Sequence, residues 1–322
     1  MRSQSEWRQA AVASVDNIAE DVRRVVFDVT GEVPKFDAGS HLNIRVTIND
    51  QPAIRTYTVV PSGPGQLAIA VKLHPQSRGG SHFIWGLKPG DGVALTLPEN
   101  RFELSWRAGH YLLLAGGIGI TPIYGMARAL AAHGTSLKMC YGALNRASMP
   151  YLSELETLLG DRLAVFEAER DETIDLQAEI DDLPEDGELY VCGPLGMLEA
   201  VKRVWAASGR PVSRLRYEVF GDNGKFAEAT FEVEVRNRNI TVTVPPDKTL
   251  LDALEEAGVE TISDCRRGEC GLCAVGIDRL DGEVDHRDVF FSDEEKAGNK
   301  AMCACVSRLV SGRAVIDIGY RA

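Results

Sequence analysis

At 322 residues, 44% of them hydrophobic and 25% charged, the chain has the composition of an ordinary globular protein long enough for two or three cores. Its formal charge of −12 and pI near 5.1 argue against nucleic acid or anionic membrane as partner, because an acidic surface repels phosphates instead of neutralising them. No apolar run approaches the ~18 residues of a membrane span, no h-region precedes a small-residue cleavage site, and the expected compartment is the cytoplasm.

From Gln9 to about Leu104 the pattern is one of short alternating strands: Ala10 to Ile18, Val22 to Val29, His41 to Ile48, Ile54 to Val60, Gln66 to Lys72 and Val93 to Leu97. Turn signals at Asn49-Asp50, Ser62-Gly63-Pro64-Gly65 and Lys88-Pro89-Gly90-Asp91-Gly92 separate them, which predicts an antiparallel sandwich or barrel. Two segments carry chemistry. In Arg55-Thr56-Tyr57-Thr58, a strand places Arg55 and Tyr57 on one face and Thr56 and Thr58 on the other. A guanidinium fork for phosphate and a flat ring then meet one ligand together. The second segment is Val71-Lys72 followed by Arg78-Gly79-Gly80-Ser81, a basic glycine turn ahead of a short helix over Phe83 to Leu87. Free N–H groups at a helix start beside a hydroxyl and a cation suit an anion. Each segment alone reads equally as an ordinary strand or turn; together they point to a phosphorylated flavin.

A second domain is expected from Ala108. The apolar strand Tyr111 to Ala115 runs into Gly116-Gly117-Ile118-Gly119-Ile120-Thr121-Pro122, which opens a helix through Ala127 to Ala132. Pro122 replaces the last glycine of G-x-G-x-x-G and fits a first helical turn, where no N–H is needed. Next come a strand over Leu137 to Tyr141, a helix over Tyr151 to Leu159, strands over Leu163 to Glu167 and Leu189 to Cys192, the turn Cys192-Gly193-Pro194, and a helix over Leu198 to Ala207. Alternating strands and helices predict a parallel sheet with ligands beyond the carboxyl ends of its strands, where both glycine turns fall. Cys192 reads either as a small buried hydrophobe or, from its strand-end position, as part of that site.

A polar linker over 223–229 precedes a third domain, where Thr230 to Arg236 and Ile240 to Val244 form a hairpin around Asn237-Arg238-Asn239. A helix over Thr249 to Ala257 stops at Gly258, and strands over Ala274 to Ile277 and Ala314 to Ile318 complete a small β-grasp-like sheet. Between them lies Cys265-Arg-Arg-Gly-Glu-Cys270-Gly-Leu-Cys273, with Cys303 and Cys305 about thirty residues further on. Four and then two residues between three cysteines, followed by a distant fourth, is the plant-type spacing for a 2Fe-2S cluster, and Gly268 and Gly271 let the loop turn tightly. A structural zinc site is the alternative, although it usually takes two C-x2-C-like pairs and only one is present. Spacing does not choose between Cys303 and Cys305, which would share a face if the strand were extended. Five of seven cysteines in the last sixty residues fit reduced thiols serving a cofactor better than disulfides.

This order of parts resembles the phthalate dioxygenase reductase and vanillate demethylase reductase family over nearly the whole chain. Arg55-Thr56-Tyr57-Thr58 is similar to its flavin motif R-x-Y-[ST], Gly79-Gly80-Ser81 to its phosphate loop, and the Gly116 to Pro122 and Cys192-Gly193-Pro194 segments to its pyridine-nucleotide signatures. Glu218-Val219-Phe220 resembles the tail that places an aromatic ring on the flavin, Cys305-Val306-Ser307-Arg308 the segment with the fourth cluster ligand, and Asp285-His286-Arg287-Asp288 is also family-like.

The resemblance implies a ferredoxin-reductase-like antiparallel β-barrel over 1–107, an NAD(P)H-binding α/β domain over 108–222 and a plant-type ferredoxin domain over 230–322. It implies FMN, NADH and a 2Fe-2S cluster, with hydride taken onto flavin and single electrons passed to a Rieske-type oxygenase. Arg55, Thr56, Tyr57, Thr58, Val71, Lys72, Gly79, Gly80 and Ser81 are the expected flavin residues. Gly116, Gly117, Gly119, Thr121, Cys192 and Gly193 are expected at the nucleotide, Phe220 over the flavin ring, and Cys265, Cys270, Cys273 and Cys305 on the metal. Thr58, Cys192 and Phe220 would stand nearest the reacting atoms. Where the family carries Arg-Ser near the adenosine ribose, this chain has Leu144-Asn145 and then Arg146, so NADPH stays the alternative to NADH. FAD in place of FMN, and a zinc-stapled ligand-binding regulatory protein, are the rival readings.

Overall fold

The computed structural model describes residues 6–48, 50–74, 79–220, 226, 229–236, 238 and 240–320. Asn49, Arg78, Asn237, Asn239 and most of the expected linker over 223–229 lie outside the described residues. The chain forms two compact units, 1–218 and 219–322.

Unit 1 begins with β1 (Trp7–Ala19), β2 (Val22–Val29), β3 (Ser40–Ile48), β4 (Gln51–Val60), β5 (Gln66–Lys72), helix α1 (Gly80–Gly86), β6 (Gly92–Thr96) and the short β7 (Glu99–Asn100). The strands run antiparallel in the order β4-β5-β2-β1-β6-β3-β7. Because β3 also pairs with β4, from His41 opposite Thr58 to Ile48 opposite Gln51, the sheet closes into a barrel. Alternating apolar residues supply its interior, with Phe27, Leu42, Ile44, Leu67, Ile69 and Leu95 all buried. At roughly 1.5–3 kcal/mol for each such side chain, this core holds the barrel shut. The helix predicted over Phe83 to Leu87 begins three residues earlier, inside the glycine turn, because Gly79 takes φ +88° and Phe83 N–H bonds back to its carbonyl at 2.9 Å.

The same unit continues with β8 (His110–Gly116), α2 (Ile120–His133), β9 (Ser136–Ala143), α3 (Leu152–Leu159), β10 (Leu163–Glu167), α4 (Leu176–Asp182), β11 (Glu188–Cys192), α5 (Leu195–Ala207) and β12 (Leu215–Glu218). All five strands are parallel, in the order β10-β9-β8-β11-β12. The order reverses between β8 and β11, which makes their carboxyl ends the switch point of the sheet. Helix α5 starts at Leu195, three residues before its predicted position, because Pro194 suits a helix entrance.

Unit 2 contains β13 (Phe231–Val235), β14 (Ile240–Val244), α6 (Leu250–Glu256), β15 (Ala274–Asp281), β16 (Val284–Asp285), α7 (Asp293–Gly298), β17 (Ala301–Cys303), β18 (Arg308–Leu309) and β19 (Arg313–Asp317). Its five-stranded sheet runs β14-β13-β19-β15-β17, and β16 pairs with β18 apart from it. Thr249 and Asp252 form a capping box at the start of α6. From that helix Leu250, Leu251 and Leu254 enter a core shared with Phe231, Val233 and Ile316. Among the described residues no helix is long and apolar enough to cross a membrane.

Candidate functional site

In the barrel, β4 brings Arg55 to the glycine turn. A Cβ on Gly80 would sit 2.9 Å from Arg55 Cγ and 3.1 Å from its Nε, so the arginine stem lies where only glycine leaves room. Gly79 is equally constrained, its absent Cβ falling 2.5 Å from Ile48. Arg55, Gly79, Gly80 and the buried Ser81 thus share one place, a cradle whose cation and hydroxyl fit a phosphate. The alternation along β4 is also as expected: Thr56 donates to Asn43 Oδ1 at 2.7 Å and Thr58 meets His41, both partners being on β3. Tyr57 is half-buried. Lys72 forms a 2.9 Å ion pair with Asp21. The Val71 side chain is in the core and its carbonyl accepts from Trp85 Nε1 at 2.9 Å.

Thr58 belongs to a buried polar group that the strand pattern did not reveal. His41 Nε2 lies 3.3 Å from Thr58 Oγ1 and 2.6 Å from Glu218 Oε1, and all three residues are buried. Glu218 is the last residue of β12, 160 positions from Thr58 in sequence. The only local signal was its place beside the aromatic tail.

At the switch point two glycine turns touch. A Cβ on Gly119 would sit 2.2 Å from the Cys192 carbonyl oxygen, and one on Gly116 would sit 2.6 Å from Pro194 and 3.1 Å from Gly193. Gly193 faces Gly116 in the same way at 3.1 Å. Gly117, at φ +53°, has open space where its Cβ would be. Backbone therefore forms the floor of this crevice, which fits a dinucleotide that needs close approach. Thr121 is buried with its hydroxyl donating to Ile118 O at 3.1 Å, and Cys192 is buried beneath the turn.

At the ends of β9 and β10, Asn145 caps the turn that follows and donates from Nδ2 to Glu169 at 3.1 Å. The Arg146 guanidinium pairs with Glu156, while its N–H donates to Glu167 at 3.1 Å. Arg146 is thereby drawn toward α3, Arg170 pairs with the buried Glu167 at 3.4 Å, and Glu169 is exposed beside them.

In unit 2 the cysteine loop folds around its thiols. Cys273 Sγ lies 3.1 Å from Cys305 Sγ, far beyond the ~2.05 Å of a disulfide, and all seven cysteines are free. Cys305 also hydrogen-bonds Cys265, which accepts N–H groups from Arg267 at 3.4 Å and from Glu269. Hydrogen bonding, first from Cys305, holds the Cys265 thiol down at about 4; bonds from Cys303 and Cys305 hold Cys273 at about 3. The partners Cys303 and Cys305 are pushed up correspondingly, and Cys270 is raised, chiefly by burial. Converging thiols, two of which favour thiolate, with N–H groups aimed at the Cys265 sulfur, fit an iron-sulfur cluster.

Two glycines make the loop possible. Gly268 has φ +74° and its Cβ would meet Val306 at 2.6 Å and the Asp288 backbone at 2.9 Å; Gly271 has φ +71° and its Cβ would enter the Phe290 ring at 2.3 Å. Cys303 and Cys305 do not share an extended strand. Cys303 ends β17 opposite Ala274, and the chain then turns, with Ser307 N–H bonding back to Cys303 O at 2.9 Å. After this turn Cys305 reaches both Cys265 and Cys273, whereas Cys303 hydrogen-bonds Cys273.

The family-like segment 285–288 is the wall behind the loop. Arg287 Nε donates to Asp285 at 2.8 Å, Ser307 Oγ to Asp288 at 2.9 Å, and Val289 N–H to Gly268 O at 3.0 Å. Burial alone would raise Asp288, but bonds from His286, Phe291 N–H and Ser307 hold it below its ordinary value. Val219 N–H donates to Glu269 at 3.4 Å, fastening the half-buried Phe220 segment to the cysteine loop.

Comparison with known proteins matches the chain in three places. Residues 9–104 match the oxidoreductase FAD-binding domain, 113–203 the oxidoreductase NAD-binding domain, and 233–310 the 2Fe-2S iron-sulfur cluster binding domain. These define an oxidoreductase that combines flavin, nicotinamide and iron-sulfur domains in one chain. Tetrachlorobenzoquinone reductase of Sphingobium chlorophenolicum is 34% identical, covering 95% of this chain and 99% of its own length; phthalate dioxygenase reductase of Burkholderia cepacia is 31% identical, covering 95% and 96%. A solved structure of phthalate dioxygenase reductase superposes with a TM-score of 0.79 at 28% identity, over 97% of this chain and 98% of the other. The chain belongs to the phthalate dioxygenase reductase family.

Proposed function

We propose that this chain is the cytoplasmic NADH-dependent reductase component of a two-component oxygenase, carrying FMN and a 2Fe-2S cluster and serving a Rieske-type oxygenase. The observation that carries the reading is the cysteine loop of unit 2, preceded in the same chain by the Arg55 cradle and the paired glycine turns. Relatives of matching length include reductase subunits of monooxygenase systems, such as the carnitine monooxygenase reductase subunit of Escherichia coli, 31% identical over 96% of this chain and 98% of its own length.

Flavin exchanges electrons in pairs with nicotinamide and singly with an iron-sulfur centre, which is the chemistry bound FMN would supply between the other two. The remaining work belongs to the protein. Arg55 with Gly79, Gly80 and Ser81 holds the flavin phosphate, Thr56 and Tyr57 line the same strand, Val71 supports α1 through Trp85, Lys72 follows it on β5 in a pair with Asp21, and Thr58 is oriented by His41 and Glu218. Gly116, Gly117, Gly119 and Gly193 let the nicotinamide nucleotide approach backbone, while Thr121 and Cys192 fix the turns. Phe220 covers the flavin ring, and Cys265, Cys270, Cys273 and Cys305 ligate iron. On this reading the flavin, nucleotide and ferredoxin domains are 1–107, 108–222 and 230–322, with a linker over 223–229.

Anaerobic purification tests this directly. The protein should show flavin absorption, release FMN and not FAD on chromatography, and give a reduced-cluster electron paramagnetic resonance signal after NADH. A colourless, zinc-loaded protein would overturn the reading, and released FAD would change the flavin assignment alone.

A further inference from the structure

The cysteine loop presents its thiols to solvent unequally. Cys265, Cys273 and Cys305 are only 7%, 4% and 3% exposed, while Cys270 is half-buried. A centre held by these four therefore meets solvent beside Cys270. Two large apolar side chains flank that outlet: Leu272, 46% exposed, and Phe290, 38% exposed. They form one surface, because the Phe290 ring lies where a Cβ on Gly271 would stand, and Gly271 joins Cys270 to Leu272. Phe291, buried below, meets the Phe290 ring edge-on at 4.9 Å.

The rim of this surface is acidic. From Phe290 the chain runs through the Ser292 cap into the first turn of α7, where Asp293, Glu294 and Glu295 are all exposed, and Asp264 is exposed just ahead of Cys265. Cations of the same segments are committed elsewhere. Arg267 pairs with Glu269 at 3.0 Å, Arg287 with Asp285 at 2.8 Å and Arg266 with Asp252 at 3.1 Å, while Lys296 donates to the Asp288 carbonyl at 2.6 Å. Carboxylates beside an apolar centre suit a partner with the inverse pattern, since complementary charge steers encounter and apolar contact holds it.

We propose that Leu272 and Phe290, rimmed by Asp293 and Glu294, form the docking surface for a protein electron acceptor whose own redox centre lies beneath an apolar recess ringed by Lys and Arg. The proposal rests on the reading of this chain as a cluster-bearing reductase. The surface brings the acceptor to the half-buried ligand, the side from which a single electron has the shortest way out.

Ferric cytochrome c, a cationic one-electron acceptor, serves as probe with the full-length holoprotein. Its Kd, measured by calorimetry at low ionic strength, should rise at least about tenfold in the double variant Asp293→Lys, Glu294→Lys, about 1.4 kcal/mol, and that difference should collapse at high salt. Phe290→Ser should weaken binding at both salt concentrations. Both variants should keep wild-type iron content and NADH-to-ferricyanide activity. Wild-type Kd in the iron-replete double variant overturns the docking surface while leaving the reductase reading intact. If Phe290→Ser loses iron, the double variant, which changes two exposed residues and leaves the cysteine loop intact, decides alone. A wild-type protein without cluster absorption overturns the reductase reading and this surface with it.

Discussion

His41 Nε2 stands 2.6 Å from Glu218 Oε1, with both side chains almost wholly removed from solvent and the Thr58 hydroxyl 3.3 Å from the same nitrogen. The pair ties β3 of the barrel to the last strand of the parallel sheet, and it fixes Thr58, a residue proposed to stand near the reacting atoms. Glu218→Ala strands a buried imidazole, which should cost about 1–3 kcal/mol. Urea unfolding of unit 1 followed by flavin release should show it, and an unchanged midpoint would mean that the pair is not holding the two sheets together.

Arg55→Ala removes both the cation and the stem packed on Gly80. Flavin should then dissociate at least about tenfold more readily, a change of ~1.4 kcal/mol, as measured by fluorescence of free flavin after dilution. Retention equal to wild type would take the phosphate away from this cradle.

Gly119→Ala forces a methyl against the Cys192 carbonyl, where it would sit 2.2 Å from oxygen. Backbone on both sides of the crevice must shift, at a cost of roughly 1–3 kcal/mol. The KM for NADH in ferricyanide reduction should rise about tenfold or more while flavin content stays at the wild-type level. Loss of flavin with unchanged KM would place the turn outside the nucleotide site.

Cys270→Ser and Cys305→Ser should abolish reduction of cytochrome c while sparing NADH-to-ferricyanide activity, and Cys305→Ser should lose the cluster signal. Cys303→Ser should retain it, because Cys303 ends a strand while Cys305 reaches the loop thiols from the turn beyond. A cluster lost with Cys303 and kept without Cys305 would reverse that assignment.

On the proposed reading a 2′-phosphate would meet the exposed Glu169 at the ends of β9 and β10, where Glu169 accepts from Asn145 and Arg146 is held by Glu156. Like charges within about 8 Å cost enough for kcat/KM to favour NADH over NADPH by roughly thirtyfold or more. Glu169→Arg should narrow the ratio. A variant that discriminates as strongly as wild type would remove Glu169 from the site.

Much of this architecture is legible in sequence because it is local. The strands of the barrel are short apolar-rich runs between turn signals, and β2, β5, β10 and β14 begin and end where the sequence pattern places them. The cysteine spacing likewise carries its own geometry. Helix α4 and the β16–β18 pair escaped notice: the first is short and mostly polar, and the second joins two-residue strands whose pairing depends on the turn after Cys305. His41 was invisible for a different reason. A single histidine in a strand acquires meaning only from Glu218, a partner supplied by another sheet 177 positions away. The choice between Cys303 and Cys305 was not legible from spacing, because two residues give no sign of the backward turn made by Ser307 N–H.

Closure of the barrel sets an order on synthesis. β1 lies between β2, its immediate successor, and β6, whose Thr96 pairs with Trp7. At 5–20 residues per second a ribosome needs about 5–20 seconds to make that span, and for that interval the second edge of β1 must be shielded by something else. Since β6 also pairs with β3, through Ile44 opposite Leu95, the sheet that carries the β4 cradle is complete only after β6 has emerged.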